Sequence, residues 1–159
     1  DWHTADHISF ASQHAGKKPF ETTQVPYGTQ VLWPDHCVQG TEGADLAPGL
    51  SIPHAMLVIR KGFNRDVDSY SAFLEADKKT GTGLTGYLKE RNIARCFFCG
   101  LATDFCVAWS AVDARAAGFE AAVIEDACRG INLGGTGLEA AWADMTAKGV
   151  LRIQSTNFA

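Results

Sequence analysis

Four short apolar runs, Met56–Ile59, Ala94–Cys99, Ala121–Ile124 and Val150–Ile153, mark the chain from residue 56 onward, and helix-length stretches near 84–91, 104–117 and 137–147 separate them. Runs that are apolar almost throughout (only Arg95 and Arg152 break them), instead of alternating with polar residues, belong to strands buried on both faces. Strands of that kind alternating with helices predict a parallel sheet, and right-handed crossovers then predict a three-layer α/β/α domain. In such sheets ligands bind beyond the carboxyl ends of the strands. Lys61 directly follows the first run and Gly100–Cys106 follows the second, so both are expected at that edge.

With 159 residues the chain is long enough for one domain with its own core. A net charge of −4 gives no reason to expect nucleic acid or an anionic membrane as partner. No apolar run approaches the length needed to span a bilayer. The His- and Asp-rich start does not read as a signal peptide, so a cytoplasmic location is expected. A homo-oligomer is compatible with the sequence and not required by it. The five cysteines form no disulfide framework. Cys96 and Cys99 make a CxxC spacing, but within a strand residues three apart face opposite sides, so they are expected to be separate structural thiols.

Residues 1–55 show little periodicity and read as a long, functional loop region. They begin Asp1-Trp2-His3, and later contain Trp33-Pro34-Asp35-His36-Cys37. Two residues apart on an extended segment, Asp1 and His3 face the same way, offering a carboxylate and an imidazole to a first-row divalent ion. His36, on a turn set by Pro34, is a third candidate ligand. The competing explanation is that Asp-x-His pairs are common in solvated loops. Cys37 is expected to be structural, because neighbouring side chains on extended backbone diverge.

The strongest local motif is Gly100-Leu101-Ala102-Thr103-Asp104-Phe105-Cys106-Val107. Glycine ends the strand and a helix is expected to begin near Thr103 or Asp104, both good N-caps. Cys106 would then lie in the first turn, where backbone N–H groups favour a thiolate and an oxyanion. The alternative is a small core cysteine. Lys61 either reaches solvent along its alkyl stem or helps hold that thiolate.

Together, Asp1–Ala11, Trp33–Val38, Lys61-Gly62 and Gly100–Val107 resemble the nicotinamidase (pyrazinamidase) branch of the isochorismatase-like cysteine hydrolases, over essentially the whole chain. The resemblance implies Cys106 as nucleophile, Lys61 as the lysine of a triad, and the Ala102 and Cys106 N–H groups as an oxyanion hole reached through a cis bond at Leu101–Ala102. It implies a divalent ion on Asp1, His3 and His36, zinc first and iron or manganese next. His7 aligns with an additional histidine ligand of some members, or contacts the site without binding the metal. Trp33 and Tyr70 resemble pocket walls for a pyridine ring. The implied reaction converts nicotinamide, and pyrazinamide, to the acid and ammonia through a cysteine thioester, in NAD salvage.

One element of the family pattern is missing. The triad aspartate belongs to a segment ahead of Asp-x-His that has no counterpart here, so residues 1–159 are expected to form a single domain lacking roughly the first fifty residues, with negligible amidase activity alone. Alternatives are another cysteine amidase of the superfamily, or a catalytically incomplete fragment that binds metal and ligand.

Overall fold

The three apolar runs after residue 90 do become neighbouring parallel strands: β3 (Arg95–Leu101), β4 (Glu120–Arg129) and β5 (Leu151–Ile153), in the order β3-β4-β5. They are preceded by a hairpin, β1 (Thr22–Val25) and β2 (Gly28–Val31). Among the described residues three α-helices accompany the sheet: α1 (Leu84–Glu90), α2 (Ala108–Ala116) and α3 (Gly137–Ala147). The computed structural model describes residues 1–158, and its Cα packing divides the chain into two units, Asp1–Asp68 and Ser69–Ala159.

The second unit is the α/β architecture expected from the sequence. Each crossover helix ends on glycine in the same way. Phe119 N–H bonds the Ala114 carbonyl and Gly118 N–H that of Arg115, and Val150 and Gly149 repeat this on Met145 and Thr146, all at 3.0 Å. These paired bonds satisfy the last helical carbonyls and turn the chain straight into the next strand. The helices and sheet share one core, in which Ala111, Val123 and Met145 are completely buried and Phe73 and Phe119 nearly so. Cys96 and Phe98 pack against it from β3.

Exposure alternates along β3, however, and Phe97 and Leu101 on its other face are 47% and 73% exposed. The sequence predicts a strand buried on both faces there, because an apolar run does not reveal which face is covered. Cys96 and Cys99 fall on opposite faces, as their spacing requires, and no disulfide occurs among the described residues.

The first unit is mostly irregular, as its lack of periodicity predicts, with two departures. The β1–β2 hairpin, closed by Pro26-Tyr27 with Val25 opposite Gly28, was not anticipated. Its two-residue Pro26-Tyr27 connection is none of the Asn-Gly, Asp-Gly or Gly-Gly pairs that announce a hairpin. Conversely, Met56–Ile59 forms no strand, and Met56, Leu57 and Val58 are exposed. A short apolar run becomes a strand only when a neighbour completes its backbone ladder, and none does so among the described residues.

Candidate functional site

In the first unit Asp1, His3 and His36 come together. One donor atom from each lies within 4.8 Å of the others, close enough to share an ion. Backbone bonds fix His3: its N–H donates to the Cys37 carbonyl at 2.9 Å, and its own carbonyl accepts from Gln39 N–H at 2.8 Å. Cys37 thus contributes backbone to the site, consistent with a structural role.

The ring nitrogens are also assigned by their partners. His3 Nδ1 lies 3.0 Å from the Gly62 carbonyl, and His36 Nδ1 lies 2.8 Å from the Pro34 carbonyl. A carbonyl can only accept, so both Nδ1 atoms carry the proton and both Nε2 lone pairs are left for a metal. Burial pushes His3 down to about 3, with the neighbouring His7 and His36 rings adding to the effect. Its imidazole is therefore neutral near pH 7, the form a metal needs. The residues fit a divalent ion with mixed oxygen and imidazole ligation.

His7 and Asp68 form a second buried group with His3, again within 4.8 Å. The Ser9 N–H donates to His7 Nδ1 at 3.3 Å, and the Ser9 hydroxyl is 2.8 Å from the same nitrogen. An amide can only donate, so in this arrangement Nδ1 accepts and the ring proton belongs on Nε2. The ring of His7 packs beside that of His3, centroids 4.3 Å apart. Asp68 is held by Gln30 Nε2 at 2.7 Å and by its own N–H on the Tyr27 hydroxyl at 3.1 Å. No local motif around Asp68 marks it, since its partners come from the unanticipated hairpin.

Lys61 forms an ion pair with Asp1. Its expected place at a strand end is corrected with the strand itself, and the structure gives its ammonium to a carboxylate of the candidate ligand set. Trp33 is buried, bonded through its backbone to Ser9 and Ala11 at 2.8 Å each, with Phe20 edge-on to its ring at 6.0 Å. Phe10 bridges Trp33 and contacts the His3 and His36 rings at 5.5 and 5.6 Å.

In the second unit β3 ends in a cis bond at Leu101–Ala102, as the resemblance implies. A π-helical turn, Thr103–Val107, then carries Cys106 into α2. The Ala102 carbonyl accepts N–H groups of Phe105 and Val107, both at 3.1 Å, which closes the turn. Ser110 Oγ donates to the Cys106 carbonyl at 2.6 Å and accepts from Ala72 N–H at 2.9 Å. Tyr70 stands edge-on to Phe105 and Trp109, at 5.5 and 5.2 Å.

Neither Thr103 nor Asp104 caps the helix, which is a correction to the expected N-cap. The buried Asp104 carboxylate instead accepts N–H groups of Ile131 and Asn132, at 2.9 and 2.7 Å. A cap bonds donors two or three residues ahead, and these lie far along the chain, so local sequence could not distinguish the two roles.

Residues 5–156 match the isochorismatase domain family. The chain is 60% identical over 157 residues to the nicotinamidase of Acinetobacter baylyi, covering 99% of this chain and 73% of that protein. The structure of an Acinetobacter baumannii nicotinamidase/pyrazinamidase superposes with a TM-score of 0.98 at 60% identity, over 100% of this chain and 76% of that one. The pyrazinamidase of Pyrococcus horikoshii, in complex with zinc, superposes with a TM-score of 0.73 at 30% identity, over 97% and 72% of the two chains. The chain belongs to the isochorismatase family of hydrolases, in its nicotinamidase branch.

Proposed function

We propose that this protein hydrolyses nicotinamide, and pyrazinamide alongside it, to the carboxylic acid and ammonia, serving NAD salvage in the cytoplasm. The observation that carries this reading is 60% identity to a nicotinamidase across 99% of the chain. The ligand geometry supports it: a carboxylate and two imidazoles with Nε2 available suit an ion that anchors a pyridine nitrogen. Zinc is the proposed metal, as in the Pyrococcus protein. When bound, such an ion supplies a Lewis-acid contact that orients the ring.

The covalent chemistry is assigned to Cys106. Its thiol gives up a proton and the thiolate attacks the amide carbon; that proton passes to the nitrogen as the C–N bond breaks, so ammonia leaves, and water then cleaves the thioester to release the acid and restore the thiol. The N–H groups of Ala102 and Cys106 are proposed to hold the oxyanion. Lys61 is proposed as the cation of the triad, and Trp33 and Tyr70 as ring contacts. Asp35, bonded by Ser12 at 2.6 Å, and Asp104, committed to the 131–132 backbone, are both occupied elsewhere and are not proposed as the proton acceptor.

Ammonia release from nicotinamide, measured on the full protein with and without a chelator, tests the proposal. Cys106→Ala is expected to abolish turnover, and chelation to lower it until zinc is restored. Turnover that survives Cys106→Ala would refute the assignment.

A further inference from the structure

Asp104 precedes Cys106 by two residues, is buried, and spends its carboxylate on a different loop. The fit is close on the side of that loop. A Cβ at Gly130 would lie 3.2 Å from Asp104 Oδ1 and 2.9 Å from Leu138 Cδ1, and one at Gly137 would lie 3.4 Å from Asp104 Oδ2. Asn132, whose N–H reaches Asp104, also accepts the Leu138 N–H on its side-chain oxygen at 3.1 Å, at the start of α3. One carboxylate therefore joins the turn bearing the thiol to the β4–α3 loop and, through Asn132, to α3.

The charge is oriented as a positioning role requires. A carboxylate aimed at a neighbouring thiol would oppose thiolate formation. Here both oxygens are taken by backbone N–H groups of the 131–132 loop. A buried carboxylate is costly unless so satisfied, and a helix cap would not have needed a distant loop.

We propose that Asp104 is a positioning residue for the Cys106 turn: it locks that turn against residues 130–132, so that the thiol and the surrounding N–H groups are set before substrate arrives. This rests on Cys106 being the nucleophile. Misplacement by about 1 Å is enough to cost on the order of 100-fold in rate, so the lock affects catalysis more than binding.

The test compares Asp104→Asn and Gly130→Ala with the unsubstituted full protein. It measures kcat and KM for nicotinamide, thermal midpoint, and the rate at which iodoacetamide alkylates Cys106, followed by peptide mass. Asn keeps one acceptor but turns an NH2 toward a backbone N–H. Ala at 130 presses on the carboxylate from the loop side. In Asp104→Asn, kcat is expected to fall about 10- to 100-fold with KM within about threefold. Alkylation should be as fast as before or faster, because a negative charge has been removed. That split between turnover and thiol reactivity is not produced by a general loss of structure. Gly130→Ala should show the same split more weakly, and it decides the matter if Asp104→Asn does not fold. A kcat within twofold of the unsubstituted protein in the folded variants, or a loss that only follows the unfolded fraction, overturns the proposal. Cys106→Ala, run beside them, reports separately on the nucleophile: residual turnover there would overturn the assignment on which Asp104 depends.

Discussion

Gly62→Ala is a sharp test of the proposed metal site, because it strikes His3 without removing any candidate ligand. Gly62 has φ +69°, and its carbonyl accepts from His3 Nδ1 at 3.0 Å. A Cβ on Gly62 would sit 2.3 Å from His3 Cε1 and 2.5 Å from Nδ1, where real side chains do not approach under 3.0 Å. The ring must therefore retreat by about 0.7 Å, several times the ~0.2 Å tolerance of a metal–ligand bond. It also loses the carbonyl that keeps the proton on Nδ1. Perturbing such a supporting contact typically costs 10- to 100-fold in metal affinity, and that loss is expected here. Alanine at positive φ adds roughly 1–2 kcal/mol of backbone strain. Gly16→Ala separates the two effects, since Gly16 has φ +76° with no atom within 4 Å of its Cβ position. Zinc affinity by competition with a fluorescent chelator, and urea denaturation of the metal-free proteins, complete the comparison. Zinc affinity within threefold of the unsubstituted protein in Gly62→Ala, or an equal weakening in Gly16→Ala, would refute the reasoning.

Two further outcomes follow from buried polar groups. Burial holds His3 at about 3, so it stays neutral in the folded protein well below pH 6.5, and burial lowers His7 in the same direction, whereas in the unfolded chain both protonate near pH 6.5. Below pH 6.5 the unfolded state binds more protons, so stability present above that pH is lost as pH falls toward 3. The slope is about 1.4 kcal/mol per pH unit from His3 alone. A urea midpoint of the metal-free protein that does not fall between pH 7 and pH 5 would contradict this. Ser110→Ala removes the link between Ala72 N–H and the Cys106 carbonyl and is expected to cost about 1–3 kcal/mol in chemical denaturation, with no loss indicating that the link is dispensable.

Legibility of the fold follows from what a strand or helix needs. The runs that became β3, β4 and β5 each have a parallel neighbour and a helix packed between them in sequence, so periodicity and spacing were sufficient. Met56–Ile59 has the same apolar character and forms no strand, because pairing is a property of two segments and sequence displays one at a time. The β1–β2 hairpin was hidden for a different reason: its Thr- and Gln-rich strands lack the apolar contrast that periodicity detects.

At the site, residue types were legible and the bonds that aim them were not. Asp1, His3 and His36 could be picked out by chemistry and spacing, and they do converge. The carbonyls that hold both Nδ1 atoms belong to Gly62 and Pro34, one of them 59 positions away from the ring it fixes. The sequence singles out Cys106 by a strand–turn–helix setting that the structure has, while the anchors of its turn, Ser110 of α2 to Ala72 and Asp104 to Ile131 and Asn132, reach distant segments. In both cases one partner is a backbone group, which carries no residue-type signature at all. Asp104 shows the consequence most clearly, because a helix cap and a clasp on a distant loop use the same residue and the same acceptor oxygens, and only the position of the donors tells them apart.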